Sequence, residues 1–231
     1  MRRAAQCALS LSLGAGLLAP APAHAGTLRG QVELIEKKGK ARDLSEVVVW
    51  VEGPEVAPEP TSATMQMKDK QFDPGLLVVP VGGSVAFPNL DGILHNAFSV
   101  SGKNKFDLEL YKKPKSRSQT FLFPGIVRVY CNIHPQMVGF VMVVDSDYMA
   151  VTPESGAFEL ANVPAGARVL KVWHEEAQAE LSVPITVKGS GTSTQLDGPI
   201  RIDVSAFQPE PHKNKYGKDY KPPPPDEDER Y

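Results

Sequence analysis

The sequence predicts an all-β protein. Short runs rich in valine, isoleucine, leucine, phenylalanine and threonine follow one another through most of the chain, and glycine, proline, asparagine or aspartate separates most of them. The 231 residues contain 21 prolines and 19 glycines, which is the composition expected of a chain with many turns. No comparable amphipathic helical stretch occurs among these runs. Strands without intervening helices favour an antiparallel sandwich or barrel over β-α-β units.

The first 25 residues have the pattern of a secretory signal peptide. Arg2 and Arg3 precede an apolar run over 4–18 that is too short to span a bilayer, and Ala23-His24-Ala25 offers the small residues of a cleavage site. No later run approaches ~20 consecutive apolar residues, so we expect no membrane span in the mature chain. The sequence therefore predicts an exported, periplasmic protein.

The predicted strands form a central group and two flanking groups. Before residue 54, strands are predicted over 28–35 and 47–52. The central strands are predicted over 76–81, 84–87, 97–100, 118–123, 126–131 and 138–144. Further β structure is predicted between residues 156 and 173, and then over 181–187 and 200–204. Residues 207–231 contain four consecutive prolines and an acidic run with little apolar material, which predicts a disordered tail.

The charge of the chain argues against nucleic acid as a partner. With 25 basic and 27 acidic residues, the protein has no general positive field. Removal of the leader would leave 23 basic against 27 acidic residues, a net charge of −4. The stretch 103–117 is an exception, because it holds six basic residues and only Asp107 and Glu109 as acids. Such a stretch suits either an acidic redox partner or a solvated loop.

Cys131 is the only cysteine after the leader. A lone cysteine in an exported protein cannot form a disulfide within the chain, so it is inert, reactive or a metal ligand. His134 and Met137 follow it at three-residue steps, in a loop between two predicted strands. A thiolate, an imidazole and a thioether are soft ligands, which select copper over magnesium, calcium or manganese.

His95 is the candidate for a fourth ligand, since it also follows a predicted strand. Two imidazoles and a thiolate with a weak axial thioether form the ligand set of blue-copper electron-transfer sites. Two other interpretations stay open. Zinc could bind His95, Cys131 and His134 with an open water position, although Met137 and the lack of a glutamate in the loop argue against hydrolysis. Met137 could also be an ordinary core residue.

Residues 65–145, approximately, resemble the cupredoxins, the type 1 blue-copper proteins that include plastocyanin, pseudoazurin and amicyanin. The resemblance rests on Gly82-Gly83-Ser84-Val85-Ala86-Phe87-Pro88-Asn89, on His95-Asn96 and on the run from Pro124 to Gly139. The Cys-x-x-His-x-x-Met spacing in that run is similar to the short ligand loop of amicyanin. The resemblance implies a Greek-key β-sandwich with one type 1 copper, in which the equatorial ligands are His95, Cys131 and His134 and the axial ligand is Met137.

The same resemblance implies roles for neighbouring residues. Asn96 would tie the two ligand loops together by a hydrogen bond, and Pro135 would stiffen the loop. His134 would present its ring edge at the surface as the port for electrons. A protein of this kind is a carrier and not an enzyme, and its partners would be a c-type cytochrome or a periplasmic dehydrogenase. The alternatives are a periplasmic copper carrier or chaperone, and a binding module with a vestigial metal site.

The regions on either side are similar to a second family. Residues 151–166 contain the G-x-F-x-L…V-P-x-G pattern of carboxypeptidase-regulatory-like, transthyretin-like sandwiches, and Gly30-Gln31-Val32 with 47–51 fits their opening strands. We therefore expect a second, smaller β-sandwich built from residues 26–56 and 146–206, with a cupredoxin domain over 57–145 inserted into it. The simpler alternative is an extension and an appendage that pack on the cupredoxin without forming one domain.

Four other residues could bind copper in principle. His174 is predicted to be an ordinary strand residue, and His212 lies in the predicted tail. Met65 and Met67 fit the alternation of a strand, and two methionines are too few for a copper-binding cluster.

Overall fold

The structure, a computed structural model, describes residues 25–36, 44–53, 58–189, 191–209 and 211–220. Within these residues it contains β-strands, one 3-10 turn over Gly102–Asn104 and no α-helix, which confirms the predicted all-β class. No helix in the described part is long and apolar enough to cross a membrane. Residues 1–24 of the predicted signal peptide lie outside the described residues.

In chain order the strands are β1 (Ala25–Ile35), β2 (Val48–Val51), β3 (Ser62–Thr64), β4 (Gln66–Lys68), β5 (Gln71–Asp73), β6 (Leu76–Pro80), β7 (Ser84–Pro88), β8 (Phe98–Ser99), β9 (Phe106–Asp107), β10 (Ser116–Thr120), β11 (Gly125–Tyr130), β12 (Val138–Val144), β13 (Met149–Val151), β14 (Ala157–Pro164), β15 (Gly166–Trp173), β16 (Leu181–Val187), β17 (Ser193–Gln195) and β18 (Ile200–Asp203).

The central strands form two sheets that enclose one core. One sheet has the order β6-β12-β11-β8-β9, the other has the order β10-β7-β3, and β4 and β5 form a separate pair. β11 and β12 pair antiparallel from Gly125↔Val143 to Tyr130↔Val138. Because alternate side chains of a strand point to one face, Val127 and Val129 turn inward and are fully buried. They pack with Phe87 of the opposite sheet in a shared core.

Strands on the two sides of the central unit pair with each other. β1 pairs with β14, β17 and β18, and β2 pairs with β13 and β15. Their inner faces make a second core that includes Leu28, Val49, Leu160 and Leu170. This pairing is the one that an inserted central unit would produce, and the likeness of the flanking sandwich to transthyretin stays a prediction.

A third buried cluster joins the flanking and central strands. Val48 and Trp50 of β2 pack in it with Leu76 of β6 and with Met142 and Val144 of β12. Close by, the rings of a phenylalanine in β12 and a tryptophan in β15 lie 5.9 Å apart between centroids. The flanking and central units therefore share buried apolar surface.

Three parts of the structure differ from the expectations. Strands β3 to β5, β9, β13 and β17 were not predicted, since each has only two or three residues, which leaves too short a pattern. β10 begins and ends earlier than the predicted 118–123, because its backbone pairs with β7 over Ser116–Thr120. Residues 211–220, called here the C-terminal segment, lie against the central unit and make hydrogen bonds to it. Residues 221–231 of the predicted tail lie outside the described residues.

Candidate metal centre

The predicted ligand loop is a tight connection between β11 and β12. Cys131 directly follows β11, and Met137 directly precedes β12. The Met137 N–H donates to the carbonyl of His134 at 3.0 Å, and the Cys131 N–H donates to the carbonyl of Met137 at 3.3 Å. These bonds close a turn that carries the thiol and the imidazole on the same side of the sandwich. His95 comes from a different connection, where it exchanges two main-chain hydrogen bonds with Tyr111.

The side chains of His95, Cys131 and His134 converge in the interior. Their ligand atoms all lie within 4.8 Å of one another. The two histidine Nδ1 atoms are 3.0 Å apart, and the Cys131 Sγ atom lies 3.6 Å from the Nδ1 of His134. His95 and Cys131 have no exposed surface, and His134 is 2% exposed. Solvent therefore does not reach the donor atoms.

These separations fit a single metal ion. Protein ligands bind a small divalent ion at ~2.0 Å through imidazole nitrogen and at ~2.3 Å through thiolate sulfur. The observed nitrogen–nitrogen and sulfur–nitrogen distances are shorter than the sums of two such bonds, so one ion can bridge each of these two pairs, and all three ligand atoms lie within 4.8 Å of one another. The set of two imidazoles and one thiolate has the softness that copper prefers.

Asp91 fixes the tautomer of His95. One carboxylate oxygen of Asp91 lies 2.7 Å from the Nε2 of His95. Burial lowers the pKa of His95, and the hydrogen bond and charge of Asp91 only partly oppose this, so the ring is neutral at neutral pH. An ionised carboxylate can only accept, so the single ring proton sits on Nε2. The Nδ1 of His95 therefore keeps a lone pair that faces the other two donor atoms.

Asp91 is held in its ionised form by the loop around it. Burial raises its pKa, but hydrogen bonds from the Lys70 N–H, from His95 and from the Asp69 N–H outweigh this, and the resulting pKa lies below the ordinary value. The two backbone donors lie 3.1 and 2.9 Å from the carboxylate oxygens. Sequence reasoning missed Asp91. Its one signal was a carboxylate four residues before a candidate ligand, and that spacing has no meaning in a loop until the fold is known.

Asn96 links the loop that carries His95 to the loop that carries Cys131. Its Oδ1 atom accepts a hydrogen bond of 2.7 Å from the Asn132 N–H, which is the contact that the family resemblance implies. Its Nδ2 atom donates to Asp107 at 3.2 Å. The C-terminal segment completes a ring of contacts, because Lys215 donates to Asp107 through its ammonium group and to the Asn132 side chain through its backbone N–H. The loop next to Cys131 is therefore held from two sides.

The methionines have different surroundings. Met137 is fully buried in the same core cluster as Cys131. Its role as an axial ligand stays a prediction. Met65 and Met67 are also fully buried in this core, which fits packing residues. His174, just after β15, is buried and accepts a hydrogen bond from the Glu176 N–H.

The C-terminal segment lies across the ligand loop. The His212 ring stacks on Tyr130 with centroids 4.0 Å apart, and its Nε2 atom lies 2.8 Å from the carbonyl oxygen of Pro135. The Tyr220 hydroxyl donates to the carbonyl oxygen of Cys131 at 2.8 Å. The expectation that His134 shows its ring edge at the surface is wrong, since this residue is buried. Pro135 itself remains exposed.

Comparisons with known proteins find copper proteins among the similar solved structures. The copper-containing nitrite reductase from Thermus scotoductus SA-01 is 30% identical over 38% of this chain, with a TM-score of 0.34. A purple cupredoxin from Nitrosopumilus maritimus is 26% identical over 35% of this chain and 98% of its own length, with a TM-score of 0.32. A reduced Cu(I) form of an amicyanin variant is 27% identical over 42% of this chain and 98% of its own length, with a TM-score of 0.33.

The match to the nitrite reductase spans only 23% of that protein's length. No family model matches the sequence, and no curated protein matches it significantly. At TM-scores of this size, the family and the activity of the chain must be argued from its own side chains.

Proposed function

We propose that this protein is a periplasmic type 1 copper protein that carries single electrons between redox partners. One copper would be held by His95, Cys131, His134 and Met137. The observation that carries the proposal is the convergence of two imidazole nitrogens and a thiol sulfur within 4.8 Å in a fully buried site. Bound copper would supply a one-electron couple between Cu(I) and Cu(II). The partners would be a c-type cytochrome or a periplasmic dehydrogenase.

The residues around the site suit an electron carrier because they hold the ligands still. Asp91 orients His95 through its ring nitrogen, and Asn96 ties the Cys131 loop to the His95 loop. Ligands that move little between oxidation states keep the reorganisation cost of electron transfer low. A site that excludes water also strengthens the electrostatic effect of each neighbouring group on the metal.

Burial of the site favours electron carriage over the alternatives. Delivery of copper to an acceptor needs ligands that a second protein can reach, whereas His95 and Cys131 have no exposed surface. A hydrolytic zinc site needs an open position for water. A vestigial site would not be expected to keep two imidazoles and a thiol converging within 4.8 Å. The same site therefore supports the electron-carrier proposal over copper delivery, zinc hydrolysis and a metal-free binding module.

The proposal is tested by optical and EPR spectra of the mature protein after addition of Cu(II). We expect an intense visible absorption from thiolate to copper and a narrow copper hyperfine splitting, both absent in Cys131→Ser. A colourless protein, or ordinary tetragonal Cu(II) spectra that the substitution leaves unchanged, would refute the proposal.

The axial role of Met137 has its own matched control. Met137→Leu should change the EPR parameters and raise the reduction potential, since it removes a thioether near the metal. Met67→Leu makes the same chemical change at another fully buried methionine of the same core and should leave both unchanged. Equal spectra for the two variants would show that Met137 is only a packing residue.

A further inference from the structure

The C-terminal segment covers part of the surface over the ligand loop, on the way to the metal centre. Side chains of this segment form hydrogen bonds with the carbonyl oxygens of Pro135 and Cys131, and one of them stacks on the ring of Tyr130. His134, the candidate imidazole ligand of this loop, is 2% exposed. A partner protein that docked at this loop would meet the segment as well as the loop. A redox partner could therefore dock at a different surface that is also linked to the candidate ligands.

The stretch from Lys103 to Arg117 is such a surface. Its basic residues all lie exposed, and no ion pair is found for any of them within the described part of the chain; they are Lys103, Lys105, Lys112, Lys113, Lys115 and Arg117. We call these residues the basic face.

The two acids within the stretch are partly offset by Lys215 of the C-terminal segment, which pairs with both of them. Its ammonium group lies 2.6 Å from a carboxylate oxygen of Asp107 and 3.1 Å from one of Glu109. The hydrogen bond to Asp107 is the main reason that the pKa of Lys215 is raised, so the lysine stays charged. With Lys215 as a seventh cation against the two carboxylates, the local net charge is +5 on a chain whose net charge is −2.

The basic face is connected to the metal centre through the backbone. The His95 N–H donates to the Tyr111 carbonyl at 3.1 Å, and the Tyr111 N–H donates back to the His95 carbonyl at 2.9 Å. Tyr111 is buried, and Lys112 follows it directly in the chain. The backbone of a candidate ligand is thus one hydrogen bond and one peptide unit from an exposed lysine.

Apolar residues accompany the charges. Leu110 is 40% exposed beside Tyr111, and Phe123 is 41% exposed with the Lys103 ammonium 5.1 Å from its ring centre. Protein interfaces commonly combine apolar contacts with a charged rim. The basic face has both components, which a merely solvated lysine loop does not need.

We propose that the basic face is the docking surface for an acidic redox protein, which exchanges electrons with the metal centre on the His95 side. This proposal rests on the proposed function and adds the partner's charge and the face that it contacts. The chemistry is the transfer of one electron, with the copper oxidised from Cu(I) to Cu(II) as the acidic partner's oxidised cofactor is reduced. Opposite charges on the two surfaces steer such encounters and increase their rate.

The test compares charge reversals on and off this face. The double variant Lys112→Glu/Lys115→Glu lowers the local charge from +5 to +1. Lys188→Glu reverses an exposed lysine just after β16 in the flanking sandwich and serves as the control, with Lys112→Glu as its matched single variant. Reduced copper-loaded protein is mixed in a stopped-flow instrument with hexacyanoferrate(III), with tris(phenanthroline)cobalt(III) or with an acidic c-type cytochrome, at low and high salt.

We expect the double variant to slow oxidation by hexacyanoferrate and by the acidic cytochrome by about tenfold at low salt, since steering of this kind is worth ~10 to 10³ in rate. Lys112→Glu should have a smaller effect in the same direction, and Lys188→Glu should change either rate by less than about twofold. Oxidation by the cationic cobalt complex should not slow. High salt should remove most of the difference, because charges more than ~10 Å apart are screened at 0.1 M.

Three results would overturn the docking surface. One is equal rates in Lys112→Glu and Lys188→Glu, and another is a loss of rate with the cationic oxidant as large as with the anionic one. The third is an oxidation rate by the cytochrome that the substitutions leave unchanged while the rate with hexacyanoferrate falls. The face would then attract small anions and not proteins. The experiment starts from protein with the copper absorption, so its absence refutes the proposed function, whereas these results refute only the docking surface.

Discussion

Asp91→Asn removes a charge from the metal centre while keeping the size of the side chain. In the native protein the carboxylate accepts hydrogen bonds from His95 Nε2, the Lys70 N–H and the Asp69 N–H. An amide offers one acceptor oxygen and one donor group. When the amide nitrogen takes the place of the Oδ2 atom, which accepts from both His95 and the Lys70 N–H, the amide N–H faces the ring proton of His95. In that orientation His95 relieves the contact by moving its proton to Nδ1, which removes the lone pair aimed at the metal.

The expected cost follows from that change of tautomer. Loss of a hydrogen-bond partner behind a metal-bound histidine typically lowers metal affinity 10–100-fold, or about 1.4–2.8 kcal/mol. The loss should be larger for Cu(II) than for Cu(I), because the carboxylate charge favours the more highly charged ion. The reduction potential should therefore rise, by about 59 mV for each tenfold difference between the two losses.

The assay measures copper affinity by competition with a chelator, and reduction potential by voltammetry. Asp69→Asn is the matched control, since Asp69 lies beside the same site with a largely exposed side chain and contacts Asp91 only through its backbone N–H. Both variants should keep the native circular dichroism spectrum. If Asp91→Asn binds copper as tightly as Asp69→Asn and has the same potential, then Asp91 does not set the tautomer of His95.

Three further predictions concern the C-terminal segment and the flanking sandwich. Tyr220→Phe removes the hydroxyl that donates to the Cys131 carbonyl and should accelerate copper loss to a chelator several-fold, at a cost in stability of about 1 kcal/mol; an unchanged rate would show that this contact does not hold the loop. Leu170→Ala should lower the free energy of unfolding in urea by about 2–5 kcal/mol and leave the copper spectrum intact, and a lost spectrum would contradict separate cores. Burial raises the pKa of Asp107, but the hydrogen bond from Lys215 and other contacts outweigh this and lower the pKa below 3.8. The ion pair between Asp107 and Lys215 therefore stabilises the docked segment above that pH, and this stabilisation is lost as the pH falls through the lowered pKa. The NMR shift of the Tyr220 amide should report this release in the native protein and show no such step in Lys215→Met.

The sequence predicted the parts of the fold that have strong local patterns. The boundaries of β12 and β16 agree with the prediction, because β12 is a mostly apolar run that ends before Asp145, and β16 alternates apolar with other residues and ends before Lys188 and Gly189. The candidate ligands were also visible, since Cys131, His134 and Met137 share one short loop. Their convergence with His95 was an inference from ligand chemistry, and the structure brings three of the four donor atoms together.

Other features depend on contacts between distant parts of the chain. The C-terminal segment has little apolar material, so its composition predicted disorder, yet it is held mainly by polar and aromatic contacts of His212, Lys215 and Tyr220. The aromatic residues within it were the available signal. Burial of His134 could not be predicted for the same reason, because it depends on what the fold places around the ligand loop.

The pairing of strands across the central unit has a consequence for the order in which the chain can fold. Trp50 of β2 pairs with Met149 of β13, almost a hundred residues later. Closing so long a loop in an unfolded chain costs entropy before any contact is gained, and slows folding. The central strands are contiguous in sequence, so they can fold first and bring the ends of β2 and β13 together. On this view, formation of the central unit sets the rate at which the flanking strands join, and substitutions in the central core should delay both.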